Sequence, residues 1–208
     1  MIKMKKVILI VASLLLGLQA HAQLAADGGY MHAFENGKGS VLGITATNAR
    51  GWDGFFVGGR YNIGLDNVVN GLSVDPGANV SFLWSRYSNT SVGREIAINV
   101  PIHLVYSLDI MSDVKVKFLA GPTLQMGLLN NLVDRSNNST TTYNMYKETT
   151  LGSARTPFNL FLGVGAGIEV ADAIRVKVGF DFGLLNTTTA TNATLHRNIL
   201  KIGVGYIF

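Results

Sequence analysis

Three residues are the first candidates for chemistry, because His103, Ser107 and Glu95 combine a base, a hydroxyl nucleophile and an acid. All three occupy odd positions of a segment in which polar and apolar side chains alternate, so they are expected on one face of a β-strand. At about 3.3 Å per residue, the Cα atoms of His103 and Ser107 lie about 13 Å apart. Because a nucleophile and its base must come within hydrogen-bond reach, this spacing argues against a hydrolase. We expect His103 to be a hydrogen-bonded interior residue instead.

Other patterns associated with catalysis or cofactors are weak. The segment Gly163-Val164-Gly165-Ala166-Gly167 resembles a phosphate-binding loop in its glycine spacing, but it lies on a predicted strand with no helix after it. The sequence contains no cysteine, which excludes zinc-thiolate sites and disulfide scaffolds. It also lacks the histidine and carboxylate spacings typical of metal sites. We therefore predict no enzyme activity, no cofactor and no metal.

The basic residues do not indicate a nucleic-acid partner. Lys3, Lys5 and Lys6 lie at the N-terminus, and removing these 3 of the 17 lysines and arginines leaves 14 against 13 aspartates and glutamates. Nucleic-acid binding requires basic residues clustered on one face, and the rest of the sequence has no such cluster.

The N-terminus has the pattern of an export signal. A positively charged start, residues 1–6, precedes the apolar run Val7–Gly17 and the small-residue site Ala20-His21-Ala22. The apolar run is too short to cross a bilayer as a helix, which needs about 20 apolar residues, so a membrane anchor is disfavoured. We predict a cleaved signal peptide over residues 1–22 and a mature domain over residues 23–208. No cysteine follows the cleavage site, which argues against a lipoprotein.

From Trp52 onward, bulky apolar residues recur at every second position, as in strands whose two faces meet different surroundings. In the clearest segment, Ile174–Leu184, the even-numbered residues are apolar, whereas Arg175 and Lys177 lie at odd positions. The pattern recurs over residues 55–65, 72–84, 96–106, 114–128, 160–170 and 200–208. A first strand is expected around Ala25–Glu35, but the sequence leaves open its parity, that is, whether its odd or its even positions face inward. This strand brings the predicted count to about eight. An even count lets an antiparallel up-and-down barrel close with both termini on one side.

Three features place the apolar face toward lipid rather than inside a soluble, lipocalin-like barrel. Glycine is concentrated on the polar face, as expected if a narrow interior must leave room for larger polar side chains. The apolar face continues for about 10 residues per strand, which is the length that crosses the hydrocarbon layer. Aromatic residues such as Phe55, Trp84 and Tyr106 lie near strand ends, where membrane barrels carry interfacial girdles. The predicted fold is therefore all-β: an eight-stranded antiparallel up-and-down transmembrane β-barrel, preceded by a cleaved signal peptide.

The predicted connections alternate between long and short. Long loops are expected over residues 35–51, 130–157 and 186–197, an intermediate one over 88–94, and short turns over 66–71, 108–113 and 171–173. Because the short turns of outer-membrane barrels are periplasmic, both termini are expected in the periplasm and the long loops outside. Pro76, Pro101 and Pro122 fall inside predicted strands, where we expect β-bulges or strand ends because proline lacks an N–H.

The interior face of such a barrel collects charged residues of both signs. They are Arg60, Asp75, Glu95, Lys115, Lys117, Glu169, Arg175, Lys177, Asp181 and Lys201. Because buried charges persist when they are paired or hydrated, we predict a structural network that plugs the lumen. The short turn at Asp172 sets Glu169 opposite Arg175 as one such pair. An ion or solute path is the alternative, although side chains can fill the interior of an eight-stranded barrel.

Several short segments resemble a known family. They are Ile98-Asn99-Val100-Pro101-Ile102, Phe118-Leu119-Ala120-Gly121-Pro122, Gly163-Val164-Gly165-Ala166-Gly167 and Gly203-Val204-Gly205-Tyr206-Ile207-Phe208. Their order and spacing resemble the porin-family, OmpX-like small outer-membrane β-barrels of Bacteroidota, over nearly all of residues 28–208. The resemblance implies the outer membrane of a Gram-negative bacterium and supplies no catalytic residues. It also implies that Tyr206 and Phe208 form the C-terminal signal read by the outer-membrane insertion machinery.

Three functions are compatible with this fold. The first, which we favour, is a structural or surface-interaction barrel with a plugged polar lumen and extracellular loops. The second is a narrow porin-like channel for ions or small solutes, and the third is a lipid-modifying outer-membrane enzyme. Outer-membrane lipid, lipopolysaccharide and the insertion machinery are the expected partners, and we expect a monomer.

Overall fold

The structure, a computed structural model, describes residues 22–41, 44–136, 139–147 and 154–208, so nearly all of the predicted signal peptide lies outside the described residues. In this part of the chain the strands are β1 (Ala22–Val41), β2 (Ile44–Gly64), β3 (Leu72–Arg86), β4 (Ser91–Met111), β5 (Val114–Ser136), β6 (Ser139–Asn144), β7 (Phe158–Val170), β8 (Ile174–Gly183) and β9 (Ala193–Ile207). None of the described residues forms a helix long and apolar enough to cross a membrane.

Eight of these strands close into a ring. The antiparallel neighbours run in the order β4-β3-β2-β1-β9-β8-β7-β5, and pairing of β5 with β4 completes the circle. Strand β6 stands outside the ring and pairs with the end of β5 alone. Closure leaves no unpaired edge in the ring. This matters in a membrane, where no water can form hydrogen bonds with the backbone N–H and C=O groups of a strand edge. The predicted eight-stranded antiparallel barrel is confirmed.

The two faces of each strand carry the predicted residue types. On β7 and β8, Ile168 and Val176 point outward and are about half exposed, whereas Glu169 and Arg175 between them point inward and are buried. The parity of β1, which the sequence leaves open, is now defined: Ala25 and Met31 are buried inside the barrel. The alternation therefore separates an outer apolar surface from an inner surface that carries the charged residues.

The expected long loops are in part paired strand, and to that extent the prediction is wrong. β1 and β2 continue in register from the Glu35–Arg50 pair to the Val41–Ile44 pair. β5 likewise continues to Ser136 and pairs with β6, and β9 already begins at Ala193. Most residues of these arms are polar because the arms extend beyond the apolar band, so no regular alternation marks them as strands. We call the end of the barrel with these hairpins the hairpin side.

The opposite end, the turn side, has short connections as predicted. β2–β3, β4–β5 and β7–β8 are joined by residues 65–71, 112–113 and 171–173. In the last of these, Ala171 and Asp172 both have positive φ angles, 54° and 53°. Left-handed conformation at both central residues matches the twist of a tight hairpin.

The prolines do not produce the β-bulges or strand ends expected from them. The β3–β4 ladder is interrupted between the Pro76–Ile102 pair and the Asn79–Asn99 pair, and it resumes in the same register. The register shifts of β4 against β5 lie elsewhere, between Ile96 and Ala97 and between Asp109 and Met111. A missing proline N–H is thus absorbed as a local gap in the ladder, and strand parity is preserved.

Candidate functional site: the barrel interior

The interior of the barrel contains a dense set of ion pairs. Seven basic residues (Arg60, Lys117, Arg155, Arg175, Lys177, Arg197, Lys201) pair there with six acidic residues (Asp27, Glu35, Asp75, Glu95, Glu169, Asp181). None of these side chains is more than 17% exposed. Such near-balance is expected because an unpaired charge away from water is costly. The pairs form three clusters along the barrel axis.

The turn-side cluster consists of Asp75, Lys117, Glu169 and Arg175. The Arg175 guanidinium donates from Nε and Nη2 to Glu169 Oε2, at 3.0 and 2.8 Å, and from Nη1 to Asp75 Oδ2 at 3.1 Å. Lys117 Nζ lies 2.7 Å from the same Glu169 oxygen. In a ring of eight, β8 and β3 are four strands apart in either direction. Arg175 therefore spans the lumen to the opposite wall.

The central cluster consists of Asp27, Arg60, Lys177, Asp181 and Lys201. Arg60 Nε lies 2.9 Å from Asp27 Oδ2, and Lys177 Nζ approaches the same carboxylate oxygen. Lys201 pairs with Asp181 on the neighbouring strand. A cavity of about 30 Å³ remains beside these residues, which is room for ordered water.

The hairpin-side cluster consists of Glu35, Glu95, Arg155 and Arg197. Arg197 donates to Glu35 on the adjacent strand β1 and, from Nη2 at 2.8 Å, to Glu95 Oε2 on β4. β9 and β4 are also opposite strands of the ring. Arg155, from the segment before β7, reaches Glu35 Oε1 at 2.7 Å.

Neutral donors complete the coordination of the hairpin-side carboxylates. Trp52 Nε1 donates to Glu35 Oε2 at 2.8 Å, and Asn130 Nδ2 donates to Glu95 Oε2 at 2.9 Å. Each carboxylate is thus held by at least one arginine and one neutral group. Buried hydrogen bonds to charged groups hold such a network rigidly, because the low local dielectric strengthens each contact.

Uncharged layers separate the central and hairpin-side clusters. Asn99 Nδ2 donates to Asn79 Oδ1 and Ser81 Oγ, both at 3.0 Å, and Gln125 Nε2 donates to Asn99 Oδ1 at 2.9 Å. An apolar cluster lies inside the barrel at a similar height, formed by Met31, Ala33, Trp52, Phe56, Leu83, Phe161 and Ile199. The lumen is therefore filled by apolar as well as polar side chains.

The largest described cavity in the interior region opens at the turn side. It has a volume of about 210 Å³, and Asn62, Asp109, Lys115 and Lys117 are among its lining residues. The turn-side cluster closes its inner end, since Lys117 and Glu169 belong to both. Beyond that point the described cavities have volumes of only about 30, 20 and 10 Å³. Such volumes hold one or a few waters each.

Nine of the ten charged residues assigned to the lumen by sequence belong to these clusters, and Lys115 lies at the rim. Lys115 Nζ donates to Asp172 Oδ1 at 2.6 Å in the β7–β8 turn, and this hydrogen bond lowers the pKa of Asp172 below its ordinary value. The grouping of His103, Ser107 and Glu95 is not brought together. Glu95 binds Arg197, whereas His103 Nε2 lies 3.4 Å from Thr123 Oγ1.

Four members of the network were missed by sequence reasoning: Asp27, Glu35, Arg155 and Arg197. Glu35, Arg155 and Arg197 lie within or at the edge of segments expected to be loops, and Asp27 lies on the strand of open parity. A signal was available for two of them. Ala25, Asp27, Met31, Ala33 and Glu35 all share the odd, inward parity of β1, so extending the alternation through Glu35 finds both acids.

Comparison with solved structures finds several proteins that are similar to this chain. The structure is similar to Ail, the attachment invasion locus protein of Yersinia pestis, with 15% identity over 90% of this chain and 99% of that chain and a TM-score of 0.47. It is also similar to Neisserial surface protein A, with 15% identity, coverage of 90% and 99%, and a TM-score of 0.49. OprG from Pseudomonas aeruginosa gives 11% identity, coverage of 90% and 96%, and a TM-score of 0.49.

No curated protein matches the sequence. A family match, in contrast, covers residues 8–208, nearly the whole chain, and is to the outer membrane protein beta-barrel domain. Together with the closed ring and its apolar outer face, this match indicates the outer membrane of a Gram-negative bacterium. The chain belongs to the outer membrane protein β-barrel domain family.

Proposed function

We propose that this protein is a structural or surface-interaction barrel with a plugged lumen, which exposes its hairpins outside the cell. The observation that carries the proposal is the pair of arginines, Arg175 and Arg197, that cross the lumen to the opposite wall near its two ends. An ion crossing the barrel would have to displace both. Removing one partner of a buried ion pair costs about 3–5 kcal/mol, so spontaneous opening is rare.

The hairpin side is the surface that this proposal makes available to partners. β1 and β2 remain paired up to Val41 and Ile44, and β5 with β6 forms a second projecting ribbon. The described side chains on β6 are largely exposed and polar, including Thr140, Thr141 and Thr142. Paired ribbons present side chains on a defined backbone, which suits recognition better than unstructured loops do.

We propose the orientation of this barrel family for the chain, with the short turns and both termini in the periplasm. The chain has no cysteine, so a single Thr141→Cys substitution provides a unique label on β6. A membrane-impermeant maleimide should label intact cells carrying this variant, whereas an Ala171→Cys variant in the β7–β8 turn should react only after lysis. The reverse pattern would contradict the orientation.

The plug is tested by single-channel recording in planar bilayers. The wild-type protein should give no stable conductance steps, and a variant with Arg175→Ala and Arg197→Ala should give steps or frequent openings. Recovery of the folded barrel is checked by its faster migration on a denaturing gel before boiling. Stable ohmic steps from the folded wild-type protein would contradict the plugged lumen.

A narrow channel is the second candidate, and the turn-side cavity of about 210 Å³ is the observation that favours it. This cavity would be the entrance of a path that is closed by the turn-side cluster. The same recordings decide between the two, because a channel must conduct without substitution. In that case Lys117→Ala, which widens the inner end of the cavity, should raise the conductance further.

We propose no enzymatic role. The sequence candidates His103, Ser107 and Glu95 are not brought together. Glu95 binds Arg197, and the hydroxyl 3.4 Å from His103 Nε2 is that of Thr123, which is fully buried and therefore closed to a substrate. Lipid A or phospholipid carrying a label in an acyl chain provides the test. Turnover by the purified barrel would contradict the proposal, and outer-membrane lipid and the insertion machinery remain the partners we propose.

A further inference from the structure

A tryptophan and two arginines form a surface on the outside of the barrel, which we call the outer arginine surface: Trp84, Arg86 and Arg94. In the β3–β4 register, Trp84 lies directly opposite Arg94, and Arg86 lies opposite Val92. Arg86 and Arg94 are therefore diagonal neighbours on the same face, with Cα atoms about 7–8 Å apart. All three side chains are exposed, on the face opposite the buried Ser85, Gly93 and Glu95.

The two arginines have no protein partner among the described residues. Each basic residue of the three lumen clusters has a carboxylate within ion-pair distance, whereas Arg86 and Arg94 have neither an ion pair nor a side-chain hydrogen bond in this part of the structure. The carboxylate one strand beyond Trp84 is Asp53, and it is engaged by His32 Nδ1 at 2.7 Å and by the Tyr30 hydroxyl. The positive charge of the arginine pair is thus left for something outside the chain.

The surface lies where the apolar band ends. On its turn side, Phe55 and Phe82 stack with ring centroids 5.0 Å apart, and Phe55 also contacts Trp84 at 6.2 Å. Arginine facing hydrocarbon is costly, whereas tryptophan and arginine are both favourable at the membrane–water boundary. The Trp84 ring therefore marks the level of the lipid headgroups, with Arg86 and Arg94 positioned to meet them.

We propose that Trp84, Arg86 and Arg94 bind a phosphate group of a phosphorylated glycolipid of the lipid A type in the outer leaflet. Two guanidinium groups on one face can converge on one phosphate, which arginine recognises through paired N–H donors. The Trp84 ring covers the start of the acyl chains beside the headgroup. This inference rests on the proposed orientation, which places the hairpin side in the outer leaflet, and it is independent of the plugged lumen.

The test is native mass spectrometry of the detergent-purified barrel titrated with bisphosphorylated lipid A. A double variant, Arg86→Gln with Arg94→Gln, should bind it roughly tenfold or more weakly, because at least one charge-assisted contact is lost. Arg135→Gln is the matched control, since Arg135 is exposed on β5 farther toward the β5–β6 hairpin and should leave the affinity unchanged. Both variants lie on the surface, and their folding is checked by gel mobility before boiling.

Three ligand arms identify the source of the phosphate. Lipid A stripped of its phosphates should bind the wild-type protein as weakly as the double variant binds the intact lipid, and inorganic phosphate should not compete at millimolar concentration. Equal binding of wild-type and double-variant proteins, or equal binding of phosphorylated and stripped lipid A, would overturn the proposal. Preferential binding of phosphatidylglycerol through the same arginines would also overturn it. The Thr141→Cys labelling shows separately whether the orientation is wrong.

Discussion

Arg197 is the residue on which the hairpin-side cluster most depends, because it bonds two carboxylates that come from opposite walls. Glu35 retains Trp52 and Arg155 as other donors, but Glu95 has no second described basic partner. Loss of the Arg197 guanidinium would therefore leave Glu95 buried with only the neutral Asn130 as a described hydrogen-bond donor. A buried cluster of this kind adds little net stability when it forms, but removing one of its partners strongly destabilises the fold.

Replacing Arg197 by methionine should lower the free energy of unfolding by about 3–5 kcal/mol, because it strands a buried carboxylate. Urea unfolding in detergent or lipid vesicles measures the change. Arg135→Met, at an exposed position, is the control and should have little effect. Adding Glu95→Gln to Arg197→Met should recover part of the loss, and no recovery would show that lost packing rather than stranded charge is responsible.

Inward glycines act in two ways, which a pair of alanine substitutions distinguishes. A Cβ at Gly29 would collide with the backbone carbonyl oxygen of Ile202, whereas a Cβ at Gly179 would lie 3.4 Å from the nearest atom, Val164 O. Gly29→Ala should therefore destabilise the barrel by about 1–3 kcal/mol through overpacking against β9. Gly179→Ala should be close to neutral. Comparable unfolding midpoints for the two variants would contradict the close approach of β1 and β9.

The strands of this barrel are longer than their apolar faces. β1 stays paired well past Glu35, with β2 as far as the Val41–Ile44 pair and with β9 as far as the Gly39–Ala193 pair. Backbone hydrogen bonding does not require an apolar face, so strand pairing continues into water where the lipid-facing alternation ends. The element that crosses the membrane and the element that projects from it are thus two parts of one ribbon.

Shortening this ribbon should leave the barrel intact. Replacing residues 37–48 by an Asn-Gly turn joins Asn36 to Ala49, which are already paired, so the register below them is unchanged. The variant should still migrate faster before boiling than after it. Deleting Tyr30 and Met31 is the control, because it removes two residues from the membrane-crossing part of β1. If the shortened hairpin abolished folding, the projecting part would be structural rather than available for contacts.

Closure of the ring makes the whole molecule one cooperative unit. Every strand in it has two hydrogen-bonded neighbours within the ring, and the pairing of β9 with β1 joins the last described strand to the first. The barrel can therefore complete itself only after its C-terminal strand has arrived. Phe208 lies just beyond β9, is 73% exposed and has its ring centroid 5.1 Å from that of Tyr206.

Phe208→Ala should reduce the amount of protein that reaches the outer membrane, if Tyr206 and Phe208 are read by the insertion machinery as we propose. Its folding into detergent micelles in vitro should be unchanged, since an exposed residue outside the strand stabilises the barrel little. Quantitative immunoblotting of membrane fractions and refolding yields measure the two effects. Phe208→Tyr should behave as wild type, and an equal membrane level for Phe208→Ala would contradict the signal.

Outside the first strand, the sequence by itself determined which residues face lipid and which face the lumen, because a period of two is a local property of each strand. It also determined the number of strands in the ring and the short turns, since apolar runs and their breaks are visible residue by residue. The tertiary structure alone decided that Arg175 meets Asp75 and that Arg197 meets Glu95, because partners across a lumen depend on strand order and register around the ring. It also decided how far the polar hairpins extend, since paired backbone in water leaves no pattern in the side chains.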